Sequence, residues 1–74
     1  MKPTMPERQK QILAYIRKFT RKHSYPPTVR EIADACGFEA ESAVQYRLDQ
    51  MEDSGIISRT RNVARSIVIK EQVK

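Results

Sequence analysis

Residues 28–51 read TVREIADACGFEAESAVQYRLDQM, and the fold turns on how this stretch divides. Thr28 and Glu31 have the spacing of a capping box, in which each side chain accepts from the other residue's backbone N–H. Behind that start, Ile32, Ala33 and Cys36 fall on one side of a short helix. Gly37 follows, where a helix end often demands positive φ. Val44, Leu48 and Met51 then recur at helical spacing and make a second apolar stripe. The opposite side of that second helix, about 40–53, carries Ser42, Gln45, Tyr46 and Asp49. It starts without a favoured N-cap, because Glu39 and Ala40 stand where Ser, Thr, Asp or Asn is preferred. Two short helices joined at a glycine read as a helix-turn-helix. Any three-helix bundle can imitate that pattern, so the flanks must decide.

Upstream, YPPT at 25–28 breaks a preceding helix, since Pro26 and Pro27 lack amide donors and restrict their predecessors. Ile12, Leu13, Ile16 and Phe19 give that helix its inner face, and TMPE at 4–7 resembles a capping box, so it is predicted over 5–23. Downstream, Gly55 ends the helix-turn-helix. IISRT (56–60) and SIVIK (66–70) are rich in β-branched residues, and RNVAR (61–65) between them has turn character. The prediction is a mainly α fold with a small β-hairpin, a three-helix winged helix-turn-helix forming one domain over 1–74. The tail, about 71–74, is expected to fray.

Bulk properties agree with one small domain. Seventy-four residues can bury one modest core. No stretch approaches the ~18 apolar residues of a membrane span, and no apolar leader is evident, which sets a cytoplasmic expectation. With one cysteine and one histidine, Cys36 and His23, neither a disulfide framework nor a metal cluster is expected, and no cofactor is implied. His23 reads as an exposed residue at a helix end, and Cys36 as a small core residue. The net charge is +5, unevenly spread. Residues 1–38 hold eight Lys or Arg against three acids, 39–55 one against five, and 56–74 five against one. Such a balance suits a polyanionic partner, although the acidic middle segment works against a simple basic surface.

PPTVREIADACGF resembles the opening of the DNA-binding domain of LexA-type repressors, which carry a similar Pro-Pro-Thr, Glu-Ile-Ala and Gly-Phe series. SGIISRTRNVARSIVI resembles the wing of the same family. The likeness runs without a gap from about residue 5 to residue 70. It implies sequence-specific binding of double-stranded DNA by a bacterial or phage transcriptional regulator of the repressor kind. Full-length members continue into a C-terminal domain with a self-cleaving Ser–Lys dyad. Nothing in these residues corresponds to it, so no enzymatic activity is expected. The family often has Ser at the start of the second helix and Asn two residues on, where this chain has Ala40 and Ser42.

In a helix-turn-helix the outer face of the second helix enters the major groove. That assigns base or groove contacts to Ser42, Ala43, Gln45, Tyr46 and Arg47. Gln45 could pair with adenine N6 and N7, and Ala43 could meet a thymine methyl. On the wing, Arg59, Arg61, Asn62 and Arg65 are expected at phosphates or in a minor groove. Thr28 and Arg30, and more weakly Arg8, are candidates for backbone contact. The competing reading is a winged-helix module whose polar face meets a protein. The expected partner is an inverted-repeat operator, bound by a chain that is monomeric in solution and paired on DNA, with no membrane association.

Overall fold

A computed structural model describes residues 6–60 and 63–70. Three helices come first: α1, Glu7–His23; α2, Val29–Cys36; and α3, Glu41–Asp53. Two short strands, β1 (Ile57–Ser58) and β2 (Val68–Ile69), follow and pair antiparallel, Ile57 opposite Ile69 and Ser58 opposite Val68. This is the predicted three-helix arrangement with a hairpin wing.

Each element contributes to one core. Ile12 and Ile16 come from α1, Ile32, Ala33 and Cys36 from α2, and Val44, Leu48 and Met51 from α3. Ile57 and Ile67 close it from the hairpin. Phe19, expected in the inner face of α1, instead joins a lateral aromatic group with Tyr15, His23 and Tyr25, its ring 4.2 Å from that of His23. Among the described residues no helix is long and apolar enough to cross a membrane.

The helix ends explain the angles between elements. The α2 capping box is complete: Glu31 N–H donates to Thr28 Oγ1 at 3.1 Å, and Thr28 N–H to Glu31 Oε1 at 2.9 Å. Gly37 takes φ 76°, which lets the chain reverse so that Phe38 N–H donates to Ala33 O at 2.9 Å. The end of α3 repeats the device, with Gly55 at φ 79° and Ile56 N–H donating to Met51 O at 2.9 Å. In both, an apolar residue just past the glycine is drawn back onto its own helix.

The start of α1 and the length of the strands differ from expectation. α1 begins at Glu7, with Pro6 as N-cap and no side-chain cap bond; Pro6 O accepts from Gln9 and Lys10 N–H, and Thr4 lies outside the described residues. The strands are two residues each, because Arg65 at φ 57° breaks the extended path toward β2. The loop is stitched by a side chain instead. Ser66 Oγ accepts from Thr60 N–H at 3.0 Å and has the carbonyls of Thr60 and Val63 within donating distance. The tail over 71–74, expected to fray, also lies outside the described residues.

A Cβ at Gly37 would meet nothing within 4 Å, so only backbone strain opposes substitution there. Gly37→Ala should cost about 1–2 kcal/mol in denaturant unfolding. Gly37→Asn should cost less, since Asn enters the left-handed region more readily.

Candidate nucleic-acid interface

The outer face of α3 is open. Ser42, Ala43, Gln45 and Tyr46 are exposed, Tyr46 by 58%, while Arg47 is half-buried with its guanidinium 5.8 Å from the Tyr46 ring centre. Tyr46 is held from inside the fold. Gln9, on α1 and only 6% exposed, donates through Nε2 to Gln50 Oε1 at 3.0 Å. Gln50 Nε2 in turn donates to Tyr46 Oη at 3.1 Å. The phenol therefore accepts from below and keeps its own proton to donate outward. Sequence reading did not find this chain, because a lone Gln in a basic helix carries no signal of burial.

The wing arginines are more engaged than expected. Arg59 folds back on α3, its side chain 14% exposed. It donates from Nη1 to Gln45 Oε1 at 2.8 Å, from Nε to Glu52 Oε1 at 3.1 Å, and from Nη2 to Asp49 Oδ1. Gln45, Asp49 and Glu52 lie along one line of the helix, a spacing that was legible even though the partner was not. The acidity of α3 is thus partly neutralised within the fold. Arg59 stands on the flank of α3, not free at the hairpin tip.

Arg65 is at the tip, but its fork is directed inward. Nη1 and Nη2 donate to Glu31 Oε1 and Oε2, both at 3.0 Å, and Nη1 also to Pro26 O at 3.1 Å. Its guanidinium lies 4.7 Å from the Tyr25 ring centre. Arg8 is likewise engaged, donating to Cys36 O at 3.0 Å and lying 4.2 Å over the Phe38 ring. It satisfies a carbonyl at the C-terminus of α2. The Thr28 hydroxyl is used in the capping box, whereas Arg30 is exposed. Arg61 and Asn62 lie outside the described residues.

These parts border one open cleft between the start of α2, the outer face of α3 and the wing, with Arg30, Glu41, Gln45, Thr60 and Ser66 among its walls. Cys36 and His23 stand away from it: the thiol is buried, which raises its pKa, and His23 stacks with Phe19 and Tyr25.

A helix-turn-helix with its polar second helix open beside a basic hairpin defines the winged helix-turn-helix class. Residues 1–66 match the LexA DNA binding domain, and the chain belongs to that family. Among its relatives, the LexA repressor of Roseiflexus sp. (strain RS-1) is 44% identical over 63 residues, covering 85% of this chain and 29% of the relative. That of Desulfitobacterium hafniense (strain DSM 10664 / DCB-2) is 42% identical over 69 residues, covering 93% and 34%. That of Corynebacterium jeikeium (strain K411) is 41% identical over 69 residues, covering 93% and 26%. The chain thus spans about a third or less of the length of these relatives.

The Glu31 carboxylate holds both the cap and the wing. Its pKa is lowered, first by the hydrogen bond from Arg65 and then by that from the Thr28 N–H. Unfolded, it would titrate near its ordinary value of 4.5, so the folded state binds fewer protons there. The contribution is complete above that value and is lost as pH falls through the lowered one. The parent should lose stability more steeply below about pH 4.5 than Glu31→Gln does, as read from denaturant midpoints across pH.

Proposed function

We propose that this domain binds double-stranded DNA sequence-specifically, as the DNA-binding part of a LexA-like transcriptional repressor. The exposed row of Ser42, Ala43, Gln45 and Tyr46 on α3 carries the reading. These side chains are of the kinds that meet base edges in a major groove, and a helix anchored to the core by Val44, Leu48 and Met51 presents them to solvent. Arg30 and the first turn of α2 meet phosphates beside the site. Arg61 and Asn62 contact backbone or minor groove from the wing. Arg59 and Arg65, already paired within the fold, help to fix where the wing sits. Glu41, on the wall of the cleft, works against the approach of a phosphate.

The domain is monomeric in solution and pairs on an inverted repeat. Its large exposed apolar residues among those described, Tyr25, Tyr46, Val63 and Val68, are scattered over separate elements and form no stripe for a symmetric interface. Two half-sites on one duplex would bring two copies together by raising their local concentration. Sedimentation at micromolar concentration should give a monomer alone and two copies on a duplex carrying both half-sites.

Binding to duplex DNA tests the central claim. Gln45→Ala should cost about 1–3 kcal/mol on a preferred site and relax one base position. Arg30→Ala should weaken all duplexes alike and reduce the slope of log K against log salt by about one. Affinity indifferent to salt would instead favour a protein partner for this face.

A further inference from the structure

The amide of Gln45 is held in one orientation. A guanidinium carries only donors, so the Gln45 atom 2.8 Å from Arg59 Nη1 is its carbonyl oxygen. With Oε1 turned to Arg59, Gln45 Nε2 has no acceptor among the described residues, and Gln45 is exposed. Arg59 is itself fixed from the other side by Asp49 and Glu52, and it is the covered member of the pair.

We infer that Arg59 is a positioning residue for base recognition: it pins the Gln45 amide so that α3 offers N–H donors to the groove. This deepens the DNA-binding reading above and rests on it. The matching base edge is an acceptor, guanine O6 and N7 or thymine O4. Adenine requires the same amide to accept through Oε1 and donate through Nε2 side by side. Here Oε1 already receives a charged donor, so the arrangement disfavours the adenine pairing that glutamine alone suggests. Asp49 and Glu52 then serve recognition indirectly. They hold the guanidinium at the amide, and it offsets their charge beside the DNA.

The test selects binders from a random duplex pool with the whole 74-residue chain, Gln45→Ala, Arg59→Ala, Arg59→Lys and the Gln45→Ala/Arg59→Ala pair. Salt slopes are measured on the parent's preferred site. The parent should select guanine or thymine, on the order of tenfold, at a position where Gln45→Ala loses all preference. Arg59→Ala should lose or redirect that same preference and leave the other positions intact. Arg59→Lys keeps the charge without the fork, so it should show the same loss at the parent's salt slope. It also decides the matter should Arg59→Ala unfold. The double variant should lose nothing beyond Gln45→Ala at that position. Selection of adenine by the parent there would overturn the inference. So would Arg59 variants that keep the parent's preference, with Arg59→Ala only flattening the salt slope by about one, the mark of a phosphate contact. A parent that selects no duplex at all would overturn the DNA-binding reading itself, and this inference with it.

Discussion

One carboxylate, that of Glu31, ties the helical body to the wing. It closes the N-terminus of α2 by accepting from Thr28 N–H, and it receives both ends of the Arg65 fork. A two-stranded hairpin is marginal by itself, and this one has only a two-residue ladder. Its place must therefore be set by what reaches out from it. Ile57 and Ile67 enter the core, Arg59 grips α3, and Arg65 docks on the start of α2. Without the bond to Glu31, Arg65 would keep the Pro26 carbonyl and the rings of Tyr25 and Phe19 as its partners.

The same economy governs charge. An acidic third helix beside a basic wing looks contradictory for a nucleic-acid-binding surface, since the acids would repel phosphates. The fold resolves part of this by pairing the two segments with each other. Asp49 and Glu52 meet Arg59, and Glu31 meets Arg65. Exposed ion pairs of this kind contribute little to stability. Their larger effect is geometric: they determine which cations remain directed outward and where the hairpin stands relative to α3.

Much of this architecture was legible in the residues. Thr28, Glu31 and Gly37 specify one helix start and one helix end through local chemistry, and both appear as expected. The stripe of Val44, Leu48 and Met51 identified the buried side of α3, and so by elimination its open side. What could not be read were contacts between residues distant in sequence. Arg59 lies fourteen positions from Gln45 and Arg65 thirty-four from Glu31, and nothing local distinguishes a wing arginine that turns inward from one that faces solvent. Both strands of the wing appear as expected, but their shortness was not legible, for a related reason. β-Branched composition favours extension, but the positive φ at Arg65 and the hydroxyl of Ser66 impose a compact turn.

The buried amide of Gln9 links the interior to the outer face of α3 through Gln50 and Tyr46. Of these three, only Tyr46 is exposed. An inherited change at position 9 or 50 would leave the exposed row of α3 unaltered yet change the support beneath Tyr46. A lineage of such domains thus has a route to new sites that bypasses the contact surface. Drift in the hidden amides alters how the phenol is held, and selection then acts on the altered surface. Comparing binding preferences alone would attribute such divergence to the exposed face of α3, when its origin lies in the amides beneath that face.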